Sequence, residues 1–423
     1  MHLALTLFGV LQALYTIAAL LCVTILLVFN FRRILFALAI FRAPGRSMDP
    51  EGRSLVPQTW PDVLILASCR DEETMVAGLC QSLDGLDYPT ENRRVLLIDD
   101  GSRDKTRPFM EQIACEQIGW GVLSLPVNLG KASALNVALR ESSFGDIIYV
   151  LDADHRPELS ALKTIVRCFQ DPQIAGISGA TWPSNALSSP TAFYSTVETL
   201  VHQLVTMRAK DRLGLAPALL GSNCAYRRDL LDHCGSFREG ALLEDSDLTM
   251  SFYRAGYKVR FVPESVAWHS VPETVDGYLK QHRRWARGFA DVALTHAMGL
   301  IRDRRLSIPL RLELFLFATG YLDRIALVGG IVLTFLSVVS NNLFSFPVWV
   351  LLLALVTPLF QIIALFVEQR APAALWLRLP VVPVFYLVDI LSAVQALLDS
   401  ILRRTRSWTK TARSTPSSPS VNL

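Results

Sequence analysis

Two clusters of carboxylates are the first candidates for chemistry in this sequence. Asp99 and Asp100 follow one apolar run, and Asp152 and Asp154 follow another. Carboxylates held this close repel one another unless a cation lies between them. A hard divalent ion, Mg²⁺ or Mn²⁺, takes oxygen ligands and commonly bridges protein carboxylates to phosphates. Each motif alone is also typical of a turn or a helix cap, but their recurrence favours a metal site.

A third candidate is the stretch QHRRWARGF at residues 281–289. Cations beside aromatic residues are typical of a helix lying at a membrane surface. On a helix, however, Gln281, Arg284 and Trp285 fall on one face, because residues three and four apart are neighbours. That face could contact a substrate, while the other cations would point elsewhere, toward lipid headgroups. These other residues are His282, Arg283 and Arg287.

Short apolar runs would position the two carboxylate clusters. The runs DVLILASC (62–69), RRVLLIDDGS (93–102) and DIIYVLDADH (146–155) alternate with helical patterns at 75–86 and 131–142. Strands that alternate with helices predict a mostly parallel α/β sheet covered on both faces. Ligands of such sheets bind beyond the carboxyl ends of the strands. Both clusters are therefore expected to face one crevice.

The composition is apolar, with 51% hydrophobic and 19% charged residues, and the excess lies toward the two ends. No charged residue occurs from Leu3 to Asn30, a run longer than the roughly 20 residues that span a bilayer. It has no clear cleavage site, so a retained membrane anchor is predicted. The arginines that follow favour a cytoplasmic location for the segment after it. They are Arg32, Arg33, Arg42 and Arg46.

A second apolar region runs from Ile308 to Leu402. It contains two plain spanning candidates, Ile325 to Ser340 and Val348 to Phe366, and a less regular stretch from Leu375 to Leu402. The segments predicted from these patterns are an N-terminal anchor (1–42), an α/β domain (55–270), amphipathic interfacial helices (271–307), a membrane region (308–402) and a basic tail (403–423).

Charge and cysteine usage exclude other classes. A net charge of +3 is too small to indicate nucleic-acid binding. Seven cysteines without a C-x-x-C pair argue against a disulfide framework or a zinc site. Cys224 and Cys234 are interpreted as small buried hydrophobic residues.

The ordered motifs resemble the membrane-embedded family 2 glycosyltransferases, which include poly-N-acetylglucosamine, cellulose, chitin and hyaluronan synthases. The motifs that carry this resemblance span about 60–290 and are DDGSRDKT (99–106), NLGKASALN (128–136), LDADH (151–155), GSNCAYRRDLL (221–231), LEDSDLTMSFYRAGY (243–257) and QHRRW (281–285).

The resemblance implies a GT-A fold, a nucleotide-sugar donor held through Mg²⁺ or Mn²⁺, and inverting attack by an acceptor hydroxyl. Asp245 matches the general base. Asp152 and Asp154 match the pair that holds the metal and diphosphate. The other matched positions fall into two groups. Those on the donor side are Arg70, Glu72, Asp99 at the nucleoside, Asp100, Lys131 near the diphosphate, and Asp152; those on the acceptor and diphosphate side are Glu244, Gln281, Arg284 and Trp285.

Some positions depart from the family pattern or allow a second interpretation. Asp71 stands where relatives carry asparagine, and the usual proline is absent, which weakens the assignments of Arg70 and Glu72. Leu243 stands where many polymerising relatives carry Thr or Gly, so the sugar stays open. Acidic residues at 244–247 also suit a helix N-terminus. His155 is expected to be a hydrogen-bonding neighbour or a cap rather than a metal ligand.

The basic tail resembles the short gating segment that relatives close over the bound nucleotide, although a basic cluster beside a membrane ordinarily meets anionic lipid. The gating candidates are Trp408, Lys410, Thr411 and Arg413. A cytoplasmic tail and a cytoplasmic domain require an even number of crossings between residues 300 and 403. Because the region contains three apolar stretches, either the stretch from Leu375 to Leu402 is re-entrant or interfacial, or the tail is outside and inactive. The positive-inside preference favours the first alternative.

The sequence thus predicts a multi-pass cell-membrane glycosyltransferase that adds GlcNAc or Glc from a UDP-sugar to a growing β-linked polysaccharide. The alternatives are transfer of one sugar to a membrane lipid and a catalytically silent subunit that binds nucleotide or glycan. The expected partners are the UDP-sugar, a glycan or lipid-linked acceptor and the lipid bilayer. A homodimer or an accessory membrane subunit could be needed to enclose a polymer.

Overall fold

The structure, a computed structural model, describes residues 2–42, 59–340 and 345–401. The strands are β1 (Val63–Cys69), β2 (Arg93–Asp100), β3 (Trp120–Leu125), β4 (Ile147–Asp152), β5 (Arg156–Pro157), β6 (Ile174–Pro183), β7 (Cys224–Arg227) and β8 (Lys258–His269). The helices of the α/β part are α2 (Val76–Asp84), α3 (Thr106–Glu116), α4 (Lys131–Glu141), α5 (Ala161–Val166), α6 (Pro190–Leu200), α7 (Arg208–Arg212), α8 (Arg228–His233) and α9 (Glu244–Arg254). A π-helical segment, Val201–Met207, joins α6 to α7.

All eight of these strands form one sheet in the order β3-β2-β1-β4-β7-β6-β8-β5. The strands β3, β2, β1 and β4 are parallel, as the alternation of strands and helices predicted. The other half is mixed, because β7 runs antiparallel between β4 and β6. The predicted α/β class is confirmed, while the prediction of a mostly parallel sheet holds only for its first half.

Strand β1 is apolar on both sides, and helices cover both faces of the sheet. Leu64 and Leu66 pack with α4 and α9 on one face, and Val63 and Ile65 pack with α2 and α5 on the other. Fully burying one such side chain contributes about 1.5–3 kcal/mol. A strand without an outward polar face is typical of the centre of a sheet. Because β2 and β4 both run parallel to β1, the polar residues after them lie at the same edge of the sheet.

The remaining helices are α1 (His2–Ala39), α10 (Val275–Arg302), α11 (Ile308–Ala318), α12 (Leu322–Val339), α13 (Val348–Glu368), α14 (Ala373–Trp376) and α15 (Val382–Ile401). Within the described residues, four segments are long and apolar enough to cross a membrane: Thr6–Ala39, Leu322–Val339, Val348–Glu368 and Ala373–Gln395. The spans predicted near 325–340 and 348–366 correspond to α12 and α13. The third stretch holds α14 and α15, and whether it crosses the bilayer stays a prediction.

Ion pairs join α1 to the later helices. Arg32 pairs with Glu313 on α11 at 2.6 Å, and Arg33 pairs with Asp323 on α12. These two arginines therefore have partners inside the helical bundle, and the cytoplasmic orientation stays a prediction. Arg46 and the gating candidates Trp408, Lys410, Thr411 and Arg413 lie outside the described residues.

Candidate active site

A cavity of about 1080 Å³ begins at the carboxyl ends of β1, β2 and β4 and continues between the apolar helices. Its walls include Asp152 near the sheet and Pro358 and Tyr386 on α13 and α15. The cavity brings together most of the residues selected from the sequence. These are Arg70, Glu72, Asp100, Lys131, Asp152, Asp154, Glu244, Asp245, Gln281, Arg284 and Trp285. Asp99 is buried and is not among the residues that line the cavity.

Lys131 occupies the centre of this constellation. Its Nζ donates to Asp152 Oδ1 at 2.6 Å and to the carbonyl oxygen of Gly221 at 2.6 Å, and it lies 3.2 Å from Glu244 Oε1. Burial disfavours its charge, but the carboxylates of Asp152 and Glu244 outweigh burial and raise the pKa of Lys131 above its ordinary value. One ammonium group thus joins the motif after β4 to the motif at the start of α9.

Asp100 fixes the loop that presents Lys131. Its two carboxylate oxygens accept the backbone N–H groups of Leu129 (2.7 Å) and Gly130 (3.0 Å), immediately before α4. Gly130 has a φ of +84°, which a glycine adopts without strain. Asp99 Oδ1 accepts the N–H of Ser102 at 3.1 Å and so closes the turn after β2. Both aspartates therefore have a local structural function, and their predicted donor contacts stay predictions.

The segment that departs from the family pattern is tied to the same turn. Asp71 has a φ of +54°, its N–H donates to Ser102 Oγ at 3.0 Å, and its Oδ1 accepts the N–H of Arg103 at 2.8 Å. The N–H of Glu72 donates to Thr106 Oγ1 at 2.7 Å. An aspartate thus joins the loops after β1 and β2, which leaves Arg70 and Glu72 at the cavity wall.

Asp245 lies in the first turn of α9 and faces the cavity. Its Oδ1 accepts the N–H of Ser246 at 2.7 Å. Burial and the adjacent charge of Glu244 raise the pKa of Asp245 to about 7, although Lys131 and Arg284 oppose the shift. A carboxylate with a pKa near neutrality is suited to accept a proton.

Gly221 makes the close approach of these groups possible. It has a φ of +80°, and a Cβ added to it would lie 3.1 Å from Asp245 Oδ2 and 3.6 Å from Lys131 Nζ. Its own carbonyl oxygen accepts the Lys131 ammonium. A side chain at this position would be strained and would push apart the two groups that it separates.

Asp152, Asp154 and His155 form a cluster whose ligand atoms lie within 4.8 Å of one another. His155 Nδ1 lies 3.1 Å from Asp154 Oδ1, and burial lowers the pKa of His155 to about 4, so its ring is neutral. His269, at the end of β8, stacks on His155 with ring centroids 4.9 Å apart. Its buried Nε2 has no hydrogen-bond partner among the described residues.

Carboxylate oxygens beside neutral imidazole nitrogens suit a divalent cation such as Mn²⁺. His269 lines the cavity and was missed in the sequence, because it lies far from the two aspartates along the chain. The available signal was a histidine at the end of an apolar strand, the position that also selected Asp152.

Helix α10 carries the third motif. Gln281, Arg284 and Trp285 line the cavity, as their helical spacing predicted. The expectation that His282 points toward lipid headgroups is wrong, because its ring is buried and its Nε2 lies 2.9 Å from Glu198 Oε2. Arg283 donates to Gln395 on α15.

Helix α10 is fixed against α9 by close packing and polar contacts. A Cβ added to Gly288 would lie 2.4 Å from the Leu243 side chain, immediately before the acidic motif. Asp247 pairs with Arg238 at 2.7 Å and with His296 at 2.9 Å. Asp247 therefore stabilises the position of α9 relative to α10, while Asp245 faces the cavity.

Comparisons with known proteins identify the family and the fold. Residues 147–368 match the family model described as glycosyl transferase family group 2. The probable glycosyltransferase YdaM of Bacillus subtilis (strain 168) is 30% identical over 262 residues, 61% of this chain and 62% of that protein. A poly-beta-1,6-N-acetyl-D-glucosamine synthase of Staphylococcus epidermidis is 24% identical over 250 residues, 58% of this chain and 59% of the synthase. An N-acetylglucosaminyltransferase of Rhizobium sp. (strain N33) is 29% identical over 283 residues, 64% of this chain and 62% of that protein.

These matches cover about three fifths of the length of the relatives. Among solved structures, the mannosyltransferase PcManGT from Pyrobaculum calidifontis, in complex with GDP-Man and Mn²⁺, has a TM-score of 0.64 at 20% identity. That match covers 93% of this chain and 100% of the other. The likeness concerns the fold, and it extends from the sheet into the apolar helices.

Proposed function

Because the chain belongs to glycosyl transferase family group 2, we propose that it is a membrane-integrated inverting glycosyltransferase. Its proposed donor is a UDP-sugar, UDP-N-acetylglucosamine or UDP-glucose, and its proposed acceptor is a growing β-linked polysaccharide. The relatives named as N-acetylglucosaminyltransferase and poly-beta-1,6-N-acetyl-D-glucosamine synthase favour N-acetylglucosamine.

The observation that carries the proposal is the contact of Lys131 with both Asp152 and Glu244. A donor diphosphate at Asp152 would lie beside this ammonium group. An acceptor hydroxyl at Asp245 would lie close to the same group, because Asp245 follows Glu244 in the chain. Donor and acceptor would thus meet at one cation. Holding two reactants in one geometry is itself a large part of catalysis.

The donor side would consist of the cluster at the ends of β4 and β8. Asp152 and Asp154, with His155 and His269 next to them, would hold Mg²⁺ or Mn²⁺. When bound, that ion supplies positive charge to the diphosphate oxygens. Lys131 would place a positive charge beside the leaving diphosphate, whose negative charge grows as the bond between the anomeric carbon and the diphosphate oxygen breaks. Arg70, Glu72, Asp99 and Asp100 are proposed to contact or to frame the nucleoside.

The acceptor side would consist of α9 and α10. Asp245 would accept the proton of the acceptor hydroxyl while the oxygen attacks the anomeric carbon, and its pKa of about 7 suits that task. One base suffices for direct displacement, which inverts the anomeric configuration. Gln281 could bind acceptor hydroxyls, Arg284 could bind the diphosphate, and Trp285 could stack on a sugar ring.

Membrane integration is part of the proposal. Four segments are long and apolar enough to span a bilayer, and the cavity reaches from the sheet to between them. We propose a multi-pass protein of the cell membrane whose α/β domain, about 55–270, faces the cytoplasm. The interfacial segment (271–307), the membrane region (308–402) and the tail (403–423) complete this division.

A second acceptor class is a membrane lipid. The apolar side chains of Phe29, Ile362 and Val382 line the same cavity where it passes between the helices. An acyl or prenyl chain could lie against them, with its polar end at Asp245. Under this alternative, the donor side and the base would be unchanged.

The experiment is an assay of the full chain in lipid nanodiscs with radiolabelled UDP-N-acetylglucosamine or UDP-glucose and Mn²⁺. Labelled polymer that a β-specific glycosidase degrades is the expected product, and a single-sugar glycolipid would support the lipid alternative. Turnover should be absent in a variant that combines Asp152→Asn and Asp154→Asn. No turnover of either donor by the wild type would contradict the proposed function and favour a silent subunit.

A further inference from the structure

His282 lies between Gln281 and Arg284 along α10 and lines the same cavity, but its ring is engaged by neighbouring protein groups. Its ring is 2% exposed and stacks on Tyr278 with ring centroids 3.8 Å apart. It also contacts the Trp285 ring edge to face, with centroids 4.8 Å apart. His282 is therefore a buried support for an aromatic side chain at the cavity wall.

Both ring nitrogens of His282 face hydrogen-bond acceptors. Nδ1 lies 3.0 Å from the carbonyl oxygen of Tyr278, and Nε2 lies 2.9 Å from Glu198 Oε2. A neutral imidazole carries one N–H and can satisfy only one of them, whereas an imidazolium donates to both. Glu198 Oε2 also accepts the hydroxyl of Tyr278 at 3.2 Å, so it acts as an acceptor toward two donors.

The charges around the ring agree with an imidazolium. The facing groups come from four helices and are Tyr194 and Glu198 on α6, Tyr278 on α10, Asp323 and Arg324 on α12, and Asp389 on α15, with Tyr321 immediately before α12. The carboxylates of Glu198, Asp323 and Asp389 are then balanced by the cations of Arg33, Arg324 and His282. A neutral His282 would leave Glu198, whose side chain is 28% exposed, without a cationic partner among these groups.

We propose that His282, as an imidazolium paired with Glu198, is a positioning residue that orients Gln281 and Trp285 toward the acceptor. Glu198 anchors α10 to α6, and the ring of His282 fixes the edge of Trp285. The pair acts through these neighbours and does not touch the reacting atoms. This proposal rests on the proposed function and adds to it a determinant of acceptor binding.

A bound metal is the competing interpretation of this cluster. One ligand atom each from Glu198, His282 and Asp389 lies within 4.8 Å of the others. However, Asp389 already accepts the Arg324 guanidinium at 3.0 Å, and Glu198 Oε2 already accepts the Tyr278 hydroxyl at 3.2 Å, so both carboxylates have other partners. The carbonyl oxygen of Tyr278 and the carboxylate of Glu198 provide acceptors for both ring nitrogens of His282 without a metal ion.

The test compares the single variants His282→Gln and Glu198→Gln with the double variant that carries both. Either single change should raise the KM for a short β-linked N-acetylglucosamine oligosaccharide about tenfold, because it removes a charge-assisted hydrogen bond that supports the acceptor side. The KM for UDP-N-acetylglucosamine should stay within about twofold. In the double variant two amides can pair, so the two effects should not add.

The pH profile distinguishes a positioning ion pair from a merely structural contact. Burial opposes the charge of His282, but Glu198 outweighs burial and raises the pKa of His282 above its ordinary value. The imidazolium is therefore present below that raised pKa and is lost as the pH rises through it. The acceptor KM of the wild type should increase on this alkaline side, and that of His282→Gln should not change there. Lys280→Gln, which removes an exposed pair on the same helix, is the matched control.

Two results would overturn the proposal. One is an unchanged acceptor KM in both single variants while the wild type turns over UDP-N-acetylglucosamine. The other is a tightly bound metal equivalent, measured by elemental analysis, that the wild type holds and His282→Gln lacks. Hydrolysis of the donor without acceptor, together with the melting temperature, verifies that each variant is folded. A wild type without any turnover would instead contradict the proposed function.

Discussion

Lys131 donates from its Nζ to Asp152 Oδ1 at 2.6 Å, so the lysine at the start of α4 neutralises the carboxylate at the end of β4. The same ammonium group lies 3.2 Å from Glu244 Oε1. Carboxylates at the ends of separate strands and helices can share one cavity only if their repulsion is offset. In this chain the Lys131 side chain provides the offset, and we propose that a donor diphosphate binds beside it.

Replacing Lys131 should therefore weaken donor binding. We expect Lys131→Met to lower the affinity for UDP in the presence of Mn²⁺ about tenfold to a hundredfold, because a charge-assisted hydrogen bond contributes roughly 1.5–3 kcal/mol. Isothermal titration calorimetry measures the affinity for UDP. Lys163→Met is the control, since Lys163 pairs with Asp87 at 2.9 Å outside the cavity. Equal UDP affinity in wild type and Lys131→Met would contradict the proposed contact.

Strand ends make much of the polar lining of the cavity predictable. Apolar runs that stop at Asp100 and Asp152 were enough to predict a shared edge, because parallel strands end on the same side of a sheet. The helical spacing of Gln281, Arg284 and Trp285 similarly predicted a shared face. These patterns are local, and the sheet and helix that position them are regular.

Contacts between distant segments could not be read from the sequence. His269 meets His155 only because β8 pairs with β5 and β6. The sequence predicts lipid headgroups as the neighbours of His282, because nothing near it in the chain reveals Glu198. The mixed half of the sheet was missed for the same reason, since the direction of a short strand such as β7 depends on its partners.

The base assignment predicts a specific loss in Asp245→Asn. Without a group to accept the acceptor proton, kcat should fall by about 10²–10⁴-fold, while the affinity for UDP should be close to that of the wild type. Radiolabel transfer and UDP titration measure the two quantities. Asp229→Asn is a matched control, because Asp229 also lies in the first turn of a helix but is exposed. Substantial transfer by Asp245→Asn would exclude it as the base.

Removal of divalent metal should abolish transfer, and Mn²⁺ or Mg²⁺ should restore it. We expect His269→Ala to need a higher Mn²⁺ concentration for half-maximal activity, by about tenfold, because the buried Nε2 would be a lost ligand or neighbour of the ion. Titration of Mn²⁺ after EDTA treatment measures the shift. His233→Ala is the control, since His233 does not line the cavity. An identical Mn²⁺ concentration for half-maximal activity in both variants would mean that His269 does not take part in metal binding.

Gly288 should tolerate no side chain. In Gly288→Ala the added Cβ would lie 2.4 Å from the Leu243 side chain, and such overpacking costs about 1–3 kcal/mol. A lower melting temperature and a reduced kcat are expected, because the displaced Leu243 precedes Glu244 and Asp245. Gly299→Ala on the same helix is the control, where the nearest atom is at 3.4 Å in the flexible Arg254 side chain. Equal melting temperatures for the two variants would argue against tight packing at Leu243.

The acid limb of the pH profile of kcat should report the deprotonation of Asp245. A general base acts only when deprotonated, so kcat should fall as the pH drops below about 7, the pKa of Asp245. The neighbours of Asp245 then predict opposite shifts, since the charge of Glu244 raises this pKa and that of Lys131 lowers it. Glu244→Gln should move the limb to lower pH, because the repulsion that favours the protonated carboxyl is removed.

Lys131→Met should move the same limb to higher pH, because the cation that favours the ionised carboxylate is removed. Single-turnover rates at saturating donor, measured from pH 5 to pH 9, separate this shift from weaker donor binding. The two variants are controls for each other, since a general loss of folding would move both limbs in the same direction. Shifts of equal sign in Glu244→Gln and Lys131→Met would mean that the acid limb belongs to another group.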